Sequence, residues 1–293
     1  MKRIILIAGL LWTTHLAVAQ DTTQVKKVSY PAGFSEQLNV VYTQVGDWDG
    51  KLDLYLPPVQ GSPTPLVINI HGGGWNKGTK ESQSGFSAFF KKGYAVANIE
   101  YRLTAKATAP AAVEDTRCAL IYLINHAQQL HIDVNKIVIM GASAGGHLAL
   151  MGGLLENDNS FDGKCKGTEK IKVAAIIDKY GITDVWDWGY GKLKTSKSAT
   201  SWLGAKALDQ EFAKTVSPVF QVKKTSPPVF IVHGDADPIV PYEQSVALKA
   251  RLDELGVRNE FVTVKGGLHG KFQPADNSMV NAKIMEFLKG LGL

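Results

Sequence analysis

The stretch KIVIMGASAGGHLALMGGLLE, residues 136–156, constrains the fold more than any other part of the chain. It begins as a continuous apolar run rich in β-branched residues, the pattern of a strand buried on both faces. Across GASAG it passes into a helical pattern with no separate loop between the two. A strand that turns straight into a helix is half of a βαβ unit, and such a unit needs parallel neighbours. Similar apolar runs supply them: strands are expected at 66–70, 95–99, 136–141, 173–178, 228–233 and 260–265. Helical spacing is expected over 81–92, 110–130, 144–156, 242–255 and 277–290. Two earlier runs, 37–44 and 51–56, alternate apolar and polar residues, as a half-exposed antiparallel pair should. The expectation is an α/β fold: a single domain over residues 20–293, with eight such strands in a mostly parallel sheet flanked by helices. Residues 181–226 show no strand pattern but carry Trp186, Trp188, Tyr190 and Trp202, and are expected as a lid-like insertion.

The first residues, MKRIILIAGLLWTTHLAVAQ, are expected to lie outside the fold. Lys2 and Arg3 make a positive n-region, residues 4–11 a short apolar core, and Ala17-Val18-Ala19 a small-residue cleavage site. This predicts a cleavable signal peptide over 1–19 and a secreted or periplasmic protein. Thr13, Thr14 and His15 interrupt the run well short of the ~20 apolar residues that a membrane span needs. No membrane partner is therefore expected. The formal net charge of +5 includes the two leader cations and is too mild to argue for nucleic acid. Cys118 and Cys165 are too few for a zinc site, so no metal is expected. Export permits a disulfide. Two cysteines without distances give no connectivity, and the reading leans against pairing them.

Ser143 falls on the sharp turn between strand 136–141 and helix 144–156, between Gly141 and Gly145. That is the context of a nucleophile elbow, and the helix N-terminus beyond it favours negative charge there. A serine needs a base, and the base needs an orienting acid. His269, in GGLHG after strand 260–265, is the one histidine beyond position 233. His71, His147 and His233 adjoin other motif segments and are read as holding loops. The acid is Asp237, Asp235 or Asp184, with Asp237 favoured: its loop leaves the strand before the histidine's, and Pro238 stiffens it. Asp235 better suits turn amides, and Asp184 better suits capping a helix at Val185. HGGGW at 71–75 follows strand 66–70, and its glycines leave room for backbone N–H groups to approach a ligand. Gly73 and Gly74, with Ala144 after the serine, are the candidate oxyanion donors. Trp75, Trp186 and Trp188 are candidate substrate contacts, although packing beneath a lid is the simpler role for such large aromatics.

With these segments, the chain resembles an α/β-hydrolase of the hormone-sensitive-lipase-like and acetyl-xylan or feruloyl-esterase-like (BD-FAE-like) group. The segments are KLDLYLP, HGGGWNKGTK, NIEYRL, PAAVEDTRCALIYL, IDVNKIVIMGASAGGHLAL, KYGITDVWDW, SPPVFIVHGDADPIVP and GGLHG. The resemblance implies the α/β-hydrolase fold, a Ser143–Asp237–His269 triad with Gly73, Gly74 and Ala144 as oxyanion hole, and no cofactor. It implies ester hydrolysis without fixing a substrate: export points to acylated plant polysaccharides or oligosaccharides, and the aromatic-rich segment 181–226 to short-acyl, acetyl first, or feruloyl esters. Ala142 and Leu268 depart from residues common in related esterases and leave acyl preference open. A prolyl-oligopeptidase-type peptidase shares the triad order but uses an extra propeller or large cap. A non-catalytic binding protein on this fold would not need the complete constellation.

Overall fold

The computed structural model describes residues 27–293 except 168, 169 and 194. The expected signal peptide lies outside the described residues. One eight-stranded sheet organises the rest: β1 (Ser35–Val45), β2 (Trp48–Leu56), β3 (Thr64–Ile70), β4 (Ala95–Ile99), β5 (Ile132–Ala142), β6 (Ala175–Lys179), β7 (Val229–Gly234) and β8 (Asn259–Val264). The spatial order is β1-β2-β4-β3-β5-β6-β7-β8. β2 runs antiparallel to β1 and to β4, and every other pairing is parallel.

Side-chain alternation along β5 shows why the parallel strands read as unbroken apolar runs. Ile137 and Ile139 enter one core with α2 (Ala111–Asn125), α3 (Ala144–Leu154) and α7 (Glu243–Glu254). Val138 and Met140 enter the other, with α1 (Ser87–Phe90) and α8 (Pro274–Lys289). Both faces are dry, so both phases of the period-two pattern must be apolar.

Several expectations need correcting. The helix expected over 81–92 is a 3₁₀ turn at Lys80–Ser82 and the single turn of α1, separated by a segment that includes Gly85. Phe86, Phe89 and Phe90 share one face of that single turn and are buried against the sheet, so the helical spacing holds only over these residues. The helix expected over 110–130 ends at Asn125. Residues 181–226 hold three short helices, α4 (Val185–Tyr190), α5 (Lys197–Leu203) and α6 (Gln210–Thr215). At six or seven residues each, these are too short for a 3.6-residue period to stand out. Cys118 and Cys165 are joined by a disulfide, contrary to the sequence reading. The pairing follows from tertiary placement: Arg117, adjacent on α2, ion-pairs with Asp162 at 2.8 Å and draws the loop after α3 against that helix. No helix among the described residues is long and apolar enough to cross a membrane.

A buried cation anchors the segment that follows the glycine loop. Lys80 Nζ donates to Asn39 Oδ1 at 2.9 Å and to Asp53 Oδ2 at 3.0 Å, and also pairs with Glu81. Asn98 Nδ2 donates to the Lys80 carbonyl at 2.6 Å. One residue thus ties this segment to β1 and β2 through its ammonium and to β4 through its carbonyl. The Lys80–Asp53 pair has 2% and 7% side-chain exposure, so losing the cation strands a buried carboxylate. Lys80→Ala should therefore lower the free energy of unfolding by about 3–5 kcal/mol, read from denaturant titration. A loss below about 1 kcal/mol, as for an exposed pair, would show that water reaches Asp53.

Candidate active site

Ser143 stands between β5 and α3 with φ 57° and ψ −122°. A serine rarely adopts this left-handed φ and keeps it only where its surroundings over-determine it. Here the turn is closed by backbone contact. A Cβ on Gly141 would lie 2.1 Å from the Gly145 carbonyl oxygen, and one on Gly145 would lie 2.2 Å from that of Ile70. The Ser143 N–H donates to the Lys179 carbonyl at 2.9 Å, and its own carbonyl accepts the His147 N–H at 3.0 Å. The side chain is left at the floor of a cavity of about 860 Å³ at the carboxyl ends of the parallel strands.

The structure brings Ser143, His269 and Asp237 into one hydrogen-bonded line. His269 Nε2 lies 2.9 Å from Ser143 Oγ, and His269 Nδ1 lies 2.7 Å from Asp237 Oδ2. An ionised carboxylate only accepts, so Nδ1 carries the proton and Nε2 is free to accept from the serine hydroxyl. Asp237 is fully buried. Burial alone would push its carboxyl up, but bonds from His233, His269 and the Ile239 N–H outweigh it and hold the group well below the usual carboxylate range. Its Oδ1 accepts the N–H groups of Ile239 at 2.7 Å and Val240 at 3.1 Å. The other two candidate acids are engaged elsewhere. Asp235 accepts the Gly266 N–H across the loops after β7 and β8. Asp184 caps α4 by accepting the Asp187 N–H at 3.0 Å.

His233 is a member of this network that the sequence reading left to loop-holding. Its Nε2 is 3.1 Å from both Asp237 Oδ2 and the Val240 carbonyl. A carbonyl cannot donate, so Nε2 carries hydrogen and bridges both oxygens. Nδ1 accepts from Ser245 Oγ at 2.7 Å. The signal available was the spacing of His233 and Asp237, four residues apart in HGDAD. Tyr180 was also missed: its ring meets the His269 ring edge-on at 4.9 Å. Burial, with Asp237 and Asp178 nearby, pushes its phenol up to about 12, so it remains a neutral packing surface. Burial lowers both His71 and His147 to about 4, keeping them neutral. They hold loops by donating to the Gly72 and Val216 carbonyls, each at 2.7 Å.

The glycine loop abuts the serine. A Cβ on Gly72 would meet the Ala142 carbonyl oxygen at 2.7 Å and the Ser143 Cβ at 3.4 Å. Gly73 has φ 118°, and a Cβ there would lie 2.0 Å from the Lys77 carbonyl oxygen, so no other residue closes this turn. Gly73 and Gly74 line the cavity beside Ser143. Ala144 is the first residue of α3, where an N–H has no intrahelical acceptor. A base-activated hydroxyl beside such amides is suited to acyl transfer through a tetrahedral oxyanion.

The tryptophans divide. Trp188 lines the cavity. Trp75 does not: its φ of 60° accompanies a ring with no exposure, stacked on Trp202 at 4.4 Å and set edge-on to His147 at 5.0 Å. Trp186 packs on Tyr190 at 4.5 Å and lies outside the cavity lining. Burial of large aromatic area decides the place of Trp75, and neither Trp75 nor the half-buried Trp186 reaches the cavity expected to hold substrate.

The BD-FAE family model matches residues 52–252. Among curated relatives, the esterase LipC of Mycobacterium tuberculosis is 26% identical over 65% of this chain and 48% of its own length. The esterase LipQ of the same organism is 26% identical over 83% of this chain and 60% of its own length. The chain thus spans about half to three-fifths of these two relatives. Among solved structures, a truncated form of a carbohydrate esterase from gut microbiota superposes with a TM-score of 0.78 at 27% identity. That superposition covers 90% of this chain and 99% of the other, and the shared architecture is the α/β-hydrolase fold.

The geometry ranks the acids. Asp237→Asn should slow phosphonylation of Ser143 by a fluorophosphonate by orders of magnitude, since the amide would hold the wrong imidazole tautomer. Asp235→Asn should change that rate by less than about threefold, a surface-substitution effect. His233→Gln should fall between them. The reverse order for the two aspartates would transfer the orienting role to Asp235.

Proposed function

The chain belongs to the BD-FAE family, and from that footing we propose that it is an exported serine carboxylic-ester hydrolase that removes short acyl groups, acetyl first, from hydroxyl-rich carbohydrate alcohols. The observation that carries this reading is the Ser143–His269–Asp237 line opening into a cavity of mixed polar and apolar lining. Ser143 Oγ attacks the ester carbonyl as His269 Nε2 takes its proton. Asp237 holds the imidazole and stabilises the imidazolium. Gly73, Gly74 and Ala144 amides stabilise the oxyanion. His269 then protonates the departing alcohol, and the acyl-enzyme is cleared by water that gives its proton to the same nitrogen.

The lining supports the substrate class. Asn76, Ser82, Gln83, Ser196 and Ser198 present polar groups suited to a hydroxylated alcohol. The apolar side chains in the lining are Ala142, Tyr180, Trp188 and Ile239, among the described residues, too few to enclose a long chain on all sides. Each methylene past the first few would gain little there. The carbohydrate esterase similarity supports the same class. Trp188 and Tyr180 also keep a feruloyl group in play, because a planar acyl could pack on one of them. Export is supported by the leader-like start of the sequence and by the Cys118–Cys165 disulfide, a bond that persists in oxidising compartments.

The test is kcat/KM across p-nitrophenyl esters from acetyl to dodecanoyl, with methyl ferulate and acetylated xylan alongside. The acetyl ester should exceed the octanoyl ester by more than about tenfold, a preference equal to a few misfit methylenes. Ser143→Ala should lose nearly all turnover, leaving on the order of 10³-fold over water from the remaining site. A maximum at octanoyl or longer would replace the short-acyl reading with a lipase-like one. Faster release of a proline anilide than of any ester would make the protein a peptidase.

A further inference from the structure

Among the described residues two lysines line the cavity, Lys77 from the glycine-loop segment and Lys197 at the start of α5, and no aspartate or glutamate does. Both are exposed. Neither has a carboxylate partner among the described residues, whereas Lys80, Lys106, Lys206, Lys214 and Lys249 all do. Their segments border the two glycines beside Ser143. A Cβ on Gly73 would lie 3.3 Å from Lys77 Cγ, so the lysine stem runs along that residue. A Cβ on Gly74 would lie 3.1 Å from the Oγ of Ser198, the neighbour of Lys197. The acidic residue closest in sequence on the loop, Glu81, is bound to Lys80. The charge of the cavity rim is therefore uncompensated and positive.

We propose that this cavity selects esters whose alcohol part carries an anionic group close to the scissile bond, as an acyl ester of an acidic sugar does. The proposal rests on the ester-hydrolase reading and adds the charge of its substrate. An ammonium on a flexible stem reads charge rather than the planar shape of an acceptor, so carboxylate and sulfonate groups should serve alike. A cleft lined by one sign of charge also raises the local concentration of the opposite sign, and salt screens that effect. One unpaired charge contact at about 4 Å in water is worth about fivefold in an equilibrium constant.

The experiment measures kcat/KM for para-acetoxybenzoate, para-acetoxybenzenesulfonate and, as the neutral reference, methyl para-acetoxybenzoate. Each is run at low and high salt on the wild type, on the Lys77→Gln/Lys197→Gln double variant, and on Lys172→Gln, which lies before β6 at the far end of the sheet. In the wild type the anionic-to-neutral ratio should fall several-fold as salt is raised, for both anions. In the double variant at low salt the ratio should drop about twenty-five-fold, the product of two such contacts, and lose its salt dependence. Lys172→Gln should keep the wild-type ratio. A double variant with the wild-type ratio, while the neutral ester is still hydrolysed, overturns the anionic-substrate inference alone. Hydrolysis of none of the three esters by the wild type overturns the ester-hydrolase reading and the inference with it.

Discussion

The turn at Ser143 is the constraint on which the rest of the site depends. A buried parallel strand must pass into a helix within a few residues, and the residue at the corner takes a left-handed φ. The corner closes only because Gly141 and Gly145 allow backbone to touch backbone, within the sheet and against Ile70. The consequence is chemical as well as steric. The hydroxyl is lifted off the sheet to meet His269, and the first amide of α3 is left without a helical acceptor beside it. A side chain at either glycine would move the serine, the helix or the neighbouring strand, and each of those positions another part of the site.

Around that turn, buried polar groups serve as struts. Asp237 is held by two backbone amides and two histidines, so its charge survives burial and its geometry has little freedom. Arg102 does similar work beside β4: its side chain and its backbone N–H both bond Asp115 on α2. Arg117 and Lys80 repeat the device, each at 2% side-chain exposure or less. Such pairs add little net stability compared with apolar packing, but losing one partner is costly. Their use here is to fix loops that have few apolar contacts of their own, including the segment after the glycine loop that borders the cavity.

The residues over the carboxyl ends of the strands show a division of labour. Trp75, Trp188 and Trp202 are buried and pack α4 and α5 down onto α3 through His147. These three rings hold α4 and α5 in place, and Trp188 also lines the cavity, with Ala142, Tyr180 and Ile239 beside glycines, hydroxyls, amides and two lysines.

The sequence alone determined the layered architecture and the positions of all eight strands, to within a few residues at their ends. It also picked out the serine and the histidine that meet, and favoured Asp237 among three aspartates, a choice the bond to His269 made. Those features are written locally: a strand buried on both faces needs an unbroken apolar run, a left-handed corner needs small neighbours, and partners must leave the carboxyl ends of strands. Tertiary structure alone decided the Cys118–Cys165 bond, the second histidine on Asp237, the edge of Tyr180 against His269 and the burial of Trp75. It also decided that 81–92 would pack as a broken turn rather than a helix. Each of these depends on contacts between segments far apart in the chain or on helices shorter than two turns. The period and spacing of side chains carry no information about which distant surface a residue will meet.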